Sequence, residues 1–365
     1  MSTEKPVMIT RKIQLLLQAD SKEEWKEKYR TLLTWQQMVT KAANWIVTHH
    51  YVQDSLKELL YLADGIKVKL ADQQKDEEGI LTTSRMNTTY RLLSAKFKGE
   101  IPMSIITALN SRIVSVFDKE KADYREGKRS LRIYRRDQPI PIVSKDIIHI
   151  EPVEKGEYRF SLYGLHFHTH FGRDTSGNRQ LFEKVIMGEG RLRDSSIQIK
   201  QQKLFLLAVF DQDKVAGQLS PESRVEAWLS MDVPIIAASG GKEIRIGSKE
   251  EYLHRRLAIQ EAMRRTQAAV RYNSGGRGRT RKLQALERFH DLEKNYVRTR
   301  LHQYSARLIH FCLEEGAGVL VLRHQSEKEA TARESNFLLR NWTYYGLKEK
   351  ISYKAAKYGI TVLVE

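Results

Sequence analysis

The sequence predicts an α+β protein of more than one domain, and three observations support this prediction. The chain has 365 residues, which corresponds to two or three domains at ~150 residues each. Apolar residues make up 41% of it, enough for a folded core. Their spacing is helical near the N-terminus, strand-like in the middle, and alternates between the two patterns in the last third of the chain.

The N-terminal segment predicts one strand followed by helices. Residues 6–18 have the pattern of a strand, and Ser21 with Glu24 three positions later forms the N-cap pair of a helix. Apolar residues then recur at three- and four-residue steps from Trp25 to Ile46. We therefore expect a helix to about residue 73 and a second helical stretch over about 82–125. The tryptophans on the first helix favour a helix-bundle core over base stacking.

The charge balance favours an anionic partner. Lysine and arginine number 62 against 45 aspartates and glutamates, a formal net charge of +17. Nucleic acid is the usual partner of such a chain, and an anionic membrane surface or a merely solubilising charge are the alternatives. The single cysteine, Cys312, excludes a disulfide framework and a zinc site of several thiolates. With no apolar run of ~18 residues and no secretory leader pattern, we expect a cytoplasmic protein without a membrane partner.

Two basic segments are candidate nucleic-acid contacts. Residues 126–136 combine cations with an aromatic ring, a composition that suits a phosphate backbone, although a solvated charge run is the alternative. The segment NSGGRGRTRK and Arg271, two positions before it, form a basic stretch that contains no acid. The candidate side chains in the two segments are those of Arg132, Arg135, Arg136, Arg271, Arg277, Arg279, Arg281 and Lys282.

Three alternating histidines form a further pattern in the strand-rich region. On a strand, His166, His168 and His170 share one face, which can hold a metal ion. No carboxylate or further ligand is nearby in sequence. The pattern therefore favours a polar sheet face or an RNA contact over a metal site.

The last third of the chain predicts a layered α/β domain. Residues 225–238 have the pattern of a strand, and Gly240-Gly241 turn it into a second strand over 243–246. Two long helices follow, the second ending at Gly316, and then a short buried strand over 319–322. A helix capped by Ser335 or Asn336 and a final strand complete the domain. This order is that of a ribonuclease-H-like α/β layer.

Specific segments of this last third resemble a known family. The runs GGRGRTRK, NYVRTRLHQYSARLIHFCLEEGAGVLVL and FLLRNWTYYGLKEKISYKAAKYGITVLV resemble TnpB transposon proteins, and most of all the miniature type V-F CRISPR effectors. The resemblance implies a wedge-like β-barrel over 1–20 and 130–222, a helical recognition lobe over 21–129, and a RuvC-type, RNase H-like domain over 223–365. It also makes Trp342, on the NWTYY helix near the cleft, a candidate nucleic-acid contact.

The resemblance implies a nuclease site, and this sequence departs from it. Asp232, in SMDVP, matches the family's first catalytic aspartate, but Arg323 stands where the second acid belongs. A register that substitutes Glu327 or Glu329 places the acid in a polar loop. The family's zinc ribbon and third acid lie beyond the final strand, and this sequence ends at Glu365. We expect Asp232 to be vestigial and Arg323 to pair with it or with a phosphate.

These departures predict a site without metal. RuvC-type sites hold two Mg²⁺ ions ~4 Å apart between carboxylates. At ~4 Å and an effective dielectric constant of ~20, two like unit charges repel by ~4 kcal/mol, so a guanidinium in place of an acid disfavours the ions. We therefore expect neither zinc nor Mg²⁺, and no nuclease activity.

The resemblance then implies an RNA-guided, DNA-binding regulator of transcription in a prokaryotic cytoplasm, associated with the nucleoid. Its partners would be a guide RNA and a double-stranded DNA target, because base pairing reads the sequence in such systems. It would act by occupancy, or by recruiting a sigma factor with RNA polymerase, and could work as a homodimer on one RNA. The alternatives are an active RNA-guided endonuclease and an RNA-binding accessory protein with no DNA target.

Overall fold

A computed structural model describes residues 7–60, 85–174, 177–212, 219–230, 232–272, 275–323 and 344–365. The chain forms two compact units and passes from the first to the second after Gln212. Each unit contains helices and a β-sheet, so the predicted α+β class is confirmed. The finer division into wedge, recognition lobe and RNase H-like domain stays a prediction.

Within the described ranges, four α-helices belong to the first unit. Ser21 Oγ accepts a hydrogen bond from Glu24 N at 3.1 Å, and the Glu24 carboxylate accepts one from Asp20 N at 2.7 Å, which is the predicted capping box. The predicted helical stretch over 82–125 is interrupted, because Gly99 has a positive φ and Pro102 precedes a new helix. Residues 61–84 lie outside the described residues. The helices are α1 (Lys22–Leu60), α2 (Arg85–Phe97), α3 (Met103–Arg125) and α4 (Asn178–Ile186).

The tryptophans of α1 do not all enter the core. Trp35 is buried against the ring of Tyr163, as the helical stripe predicts. Trp25 and Trp45 are exposed, so their expected core role is wrong. Trp25 stacks on Tyr29 one turn away, and Trp45 lies under the ammonium group of Lys96. Both rings are thus held by local contacts.

A seven-stranded sheet packs with these helices around one hydrophobic core. Its order is β2-β6-β7-β1-β5-β4-β3, and β1–β5, β5–β4, β4–β3 and β6–β7 are antiparallel. Among the described residues β2 and β3 are the edges, and closure into a barrel stays a prediction. The strands are β1 (Val7–Leu17), β2 (Ile140–Ile142), β3 (Ile148–Val153), β4 (Glu157–Leu162), β5 (Leu165–His170), β6 (Leu192–Lys200) and β7 (Lys203–Gln212).

The second unit is built on a five-stranded sheet of order β10-β9-β8-β11-β12. The first three strands pair antiparallel, and β11 runs parallel to both β8 and β12. The strands are β8 (Ser220–Trp228), β9 (Ile235–Ser239), β10 (Lys242–Ile246), β11 (Ala317–Leu322) and β12 (Thr361–Val364).

The prediction of one strand over 225–238 is wrong, because the chain turns within it. Ser230 Oγ accepts a hydrogen bond from Val233 N at 3.3 Å, and Pro234 has no N–H to donate to a ladder. The strand therefore ends before this turn and returns antiparallel after it. The next turn is the predicted one, with Gly240 and Gly241 at φ of +55° and +85°.

In the part of this unit that the structure describes, three helices cover one face of the sheet: α5 (Lys249–Arg271), α6 (Gly276–Glu314) and α7 (Tyr344–Lys357). Leu308 of α6 and Ile351 of α7 are fully buried with Ala227 of β8, so both helices pack their apolar faces into the core of this unit. Gly316, at φ +59°, ends α6 as predicted. Burial raises the pKa of the Cys312 thiol to about 12, which keeps it protonated in the core. The predicted cap of α7 at Ser335 or Asn336 lies outside the described residues.

Glu120 on α3 fixes the start of the basic segment 126–136. Its carboxylate accepts hydrogen bonds from Tyr124, Arg129 and Arg132, and its side chain is only 12% exposed. The Arg132 Nε atom lies 3.0 Å from one carboxylate oxygen, and its terminal nitrogen bonds the other. These bonds, above all those from Arg132, lower the pKa of Glu120 to about 2. Arg132, expected to contact phosphate, thus forms an ion pair with Glu120, and its contact with phosphate stays a prediction.

We expect Glu120→Ala to lower the free energy of unfolding by about 2 kcal/mol, because it removes hydrogen bonds from charged donors. The folded pKa of Glu120, about 2, lies below its ordinary value of 4.5. Its contribution is thus complete above pH ~4.5 and is lost as the pH falls toward ~2. Denaturant titrations from neutral to acid pH measure both effects. The control is Glu126→Ala, which removes an exposed pair with Lys128. An equal effect of the two substitutions would contradict this role.

Candidate nucleic-acid interface

An arginine joins two carboxylates at one end of the five-stranded sheet. Arg323 follows β11, and its backbone N–H donates to the carbonyl of Ala227 on β8 at 3.0 Å. Its guanidinium donates to Glu226 at 2.5 Å and also to Glu365. The parallel registers explain this contact, since Val321 is opposite Glu226 and the N–H of Glu365 bonds the carbonyl of Leu322. We call these three residues the Arg323 cluster.

The charges of the Arg323 cluster stabilise one another. Hydrogen bonding to Arg323 lowers the pKa of Glu226, and the reciprocal bond to Glu226 raises the pKa of Arg323. The three side chains are 36–49% exposed, so solvent screens them in part. Charge-assisted bonds of this kind fix geometry as well as charge. Both carboxylates are consequently occupied by a cation of the protein itself.

Asp232 lies apart from this arrangement. It sits in the turn between β8 and β9, with its side chain 82% exposed, and accepts a hydrogen bond from Lys249 Nζ at 3.1 Å. The backbone N–H of Lys249 also bonds the carbonyl of Asp232 at 2.9 Å. The expected pairing of Arg323 with Asp232 is therefore wrong, because Glu226 and Glu365 take the guanidinium. Sequence reasoning missed Glu226, although strand alternation between buried Val225 and Ala227 places it on the opposite face.

The three histidines lie on β5 and find partners on β4. His166 Nδ1 is 2.7 Å from Ser161 Oγ, and Glu157 lies 3.3 Å from His168 Nε2 and 3.1 Å from His170 Nδ1. Glu157 is thus a carboxylate brought close by strand pairing, which sequence spacing alone could not show. Within the described ranges no group of three or more histidine, cysteine or acidic side chains is placed to hold a metal ion.

The other predicted basic residues occupy two places in the fold. Arg135 and Arg136 are exposed in the first unit, where Tyr134 N donates to Asn44 Oδ1 at 2.8 Å and fixes the backbone. In the second unit, Lys282 Nζ donates to the carbonyl of Ala269 at 3.1 Å and links α6 to α5. Exposed side chains at the facing ends of these two helices are those of Arg271, Arg277, Arg279 and Arg281. Trp342, Glu327 and Glu329 lie outside the described residues.

A cavity of about 810 Å³ with a mixed polar and apolar lining lies in the first unit, between α3 and the sheet. Ser104, Thr107 and Ser111 line it from successive turns of α3, and Ser195 and Ser196 line it from β6. Its charged side chains are two cations, Arg112 and Lys145, and one acid, Asp194. Hydroxyls both donate and accept hydrogen bonds, so this surface suits phosphates and base edges. Sequence reasoning missed the cavity, although the i, i+3, i+7 spacing of the α3 hydroxyls was visible.

Comparisons with known proteins identify relatives of this chain. It is 25% identical over 276 residues to the CRISPR-associated endodeoxyribonuclease Cas12f1 of Sulfoacidibacillus thermotolerans, covering 70% of this chain and 64% of the relative. It is 29% identical over 227 residues to the Cas12f1 of Syntrophomonas palmitatica, covering 57% and 42%. The chain thus spans less than two thirds of the length of each. No protein-family model matches it.

A solved structure shares the fold. The cryo-EM structure of a Cas12f1–sgRNA–target DNA complex aligns with a TM-score of 0.68 and 14% identity, covering 98% of this chain and 89% of that one. This chain is therefore homologous to the Cas12f1 proteins, the miniature type V-F CRISPR effectors, and has their α+β fold. The resemblance stated from the C-terminal segments is confirmed. Across the described parts of the chain, no helix is long and apolar enough to cross a membrane.

We expect Arg323→Ala to lower the midpoint of chemical denaturation, because it leaves Glu226 and Glu365 ionised beside each other without a cation. The loss should shrink as salt is added, since these charges are partly exposed. Asp232→Ala is the matched control, because it removes an exposed pair and should leave the midpoint unchanged. Denaturation curves at low and high salt make the comparison. Equal midpoints for the two variants would rule out a structural role for Arg323.

Proposed function

We propose that this protein is an RNA-guided DNA-binding protein that regulates transcription at a guide-matched site and does not cut the DNA. Its homology to Cas12f1 proteins and its net charge of +17 support a guide RNA and a double-stranded DNA target as partners. One solved neighbour with this fold was determined with an sgRNA and target DNA. The strand order of the five-stranded sheet supports an RNase H-like second domain, because three antiparallel strands are followed by two strands parallel to β8.

The Arg323 cluster is the observation that supports a function without DNA cleavage. A two-metal nuclease needs several carboxylates converging on the ions, with no cation of the protein between them. Here the guanidinium of Arg323 occupies the carboxylates of Glu226 and Glu365. Asp232, which matches the family's first acid, is exposed and bonded to Lys249. These side chains do not fit a pair of Mg²⁺ ions, and no chemical step through such ions is proposed.

We propose no structural zinc site, because the side chains such a site needs are missing. Structural zinc sites in this class of protein use several cysteine thiolates. The chain has a single cysteine, Cys312, which is buried in the core and protonated. The proposal therefore assigns the described fold no metal cofactor.

A protein that binds DNA without cutting it regulates transcription either by blocking access to the DNA or by recruiting another protein to it. Occupancy of a promoter excludes RNA polymerase, whereas a docking surface recruits a sigma factor with the polymerase. We propose regulation by one of these two routes in the cytoplasm, at the nucleoid. A homodimer on one guide RNA belongs to the same proposal, because a small chain gains contact area by pairing.

A competing function is RNA-guided cleavage, because both relatives are named endodeoxyribonucleases. It requires that Asp232 and a further acid assemble a metal site when nucleic acid binds. The other alternative is an RNA-binding accessory protein, which requires no DNA target. Each makes a different prediction for the protein with its own RNA.

We expect the protein purified with its RNA to bind DNA that matches a variable segment of that RNA, and to leave it uncut in Mg²⁺. Sequencing the retained RNA defines the matched duplex, and a scrambled duplex is the control. Asp232→Ala should bind equally well, because Asp232 takes no part in the proposed function. Mg²⁺-dependent cleavage that Asp232→Ala abolishes would establish the nuclease instead. RNA without a variable segment, and no DNA binding, would favour the accessory protein.

We further expect Ser111→Leu to weaken binding of matched DNA at least tenfold, because it removes a hydroxyl and projects a larger apolar side chain into the cavity beside α3. The matched control is Ser115→Leu on the same helix, which is exposed and does not line that cavity. Gel-shift titration of the two variants, each loaded with RNA, gives the affinities. Equal DNA affinities would remove the cavity from the DNA contact, and equal RNA retention is the test of correct folding.

A further inference from the structure

The exposed face of α6 carries a line of cations longer than the predicted basic segment. Residues 18 positions apart on an α-helix are five turns apart and point the same way. Arg277 and Arg281 therefore share a face with Asn295 and Thr299, and Arg288 lies between the two pairs. All five of these side chains are exposed. Only Asp291 on this face, and Glu287 at its border, are acidic.

A groove of about 510 Å³ continues this face toward α7. Among the described residues its lining consists of polar, cationic and small side chains without an acid: Asn295, Arg298, Thr299, His302, Gln303 and Ala306. From Arg277 to His302 the line extends ~37 Å at 1.5 Å per residue, long enough to follow several phosphates of a nucleic-acid backbone.

Lysines of α7 add charge at the end of this groove. Lys354 Nζ donates to the carbonyl of His302 at 2.5 Å. Burial and the charges of Lys350 and Lys354 lower the pKa of His302. Burial and the charge of Lys350 also lower the pKa of Lys354. Lys350 and Lys354 repel each other, so a bound anion would relieve that repulsion.

We propose that the face of α6 from Arg277 to His302, together with Lys350 and Lys354, is a binding track for the backbone of the RNA. The cations match phosphates, and Asn295, Thr299 and Gln303 between them can donate to and accept from a 2′-hydroxyl, which DNA lacks. This assignment rests on the proposed function, because it names where that function holds its RNA.

The test compares two pairs of neutralised arginines on the full chain freed of RNA. Arg288→Gln with Arg298→Gln removes two cations from the track. Arg264→Gln with Arg265→Gln removes two exposed cations from α5, where both lie near Glu261. Binding of a single-stranded uridine homopolymer is measured at several salt concentrations. The track pair should reduce the slope of log affinity against log salt by one to two, and the α5 pair should leave it unchanged.

A second variant distinguishes RNA binding from DNA binding. Asn295→Ala with Gln303→Ala keeps every charge, and should weaken binding of the uridine polymer several-fold without weakening a thymidine DNA polymer. Equal slopes for the two arginine pairs would overturn the track, and an equal loss for both polymers would overturn its assignment to RNA. Neither measurement uses guided DNA. The track can therefore fail while guided binding stands, and guided binding can fail while the track stands.

Discussion

The parallel pairing of β11 between β8 and β12 is the constraint on which the second unit depends. It places Arg323, Glu226 and Glu365 at one end of the sheet and gives the guanidinium two carboxylates to bridge. It also leaves the opposite face of the sheet to Leu308 of α6 and Ile351 of α7, whose burial stabilises the unit. Apolar packing and charged side chains therefore lie on opposite faces of the sheet. On the charged face, Arg323 is the counter-ion of the two carboxylates.

The same sheet positions the surfaces proposed to bind nucleic acid. α6 is held by α5 through the ion pair of Arg256 with Glu293 at 2.9 Å, and by α7 through Lys354 and the His302 carbonyl. A helix anchored on these sides presents its remaining face to solvent as a rigid line of cations. In the proposed function, nucleic-acid binding is thus separate from nuclease chemistry. The basic face of α6 binds without a metal ion, and the Arg323 cluster holds none.

Much of the fold could be predicted from the sequence because its signals are local. The Ser21–Glu24 capping box and the glycine turn at Gly240-Gly241 follow from residues within a few positions of each other. The turn at Asp232 could not be inferred from apolar spacing, since Leu229 and Ile235 continue the pattern on both sides of it. The strand is interrupted by the hydrogen bond from Val233 N to Ser230 Oγ and by Pro234, which has no N–H for a ladder.

The site was harder to predict because its partners are distant in sequence. Nothing near Arg323 in the chain indicates Glu226, 97 positions away, and only the strand register brings them together. The expected Asp232–Arg323 pair followed the spacing of a nuclease motif, and the exposed turn carries Asp232 to Lys249 instead. By contrast, Arg132 and Glu120 are twelve residues apart, and helix geometry alone could not have told their ion pair from a phosphate contact.

The central claim is that Arg323, which stands where the resemblance places a nuclease's second acid, occupies the carboxylates of Glu226 and Glu365 and leaves no metal site there. Calorimetric titration of Mn²⁺, a stand-in for Mg²⁺, into the protein alone tests it most directly, with Glu226→Gln titrated in parallel. The account predicts no saturable heat in the millimolar range and identical traces for the two proteins. Saturable binding to the wild-type protein that Glu226→Gln abolishes would contradict it.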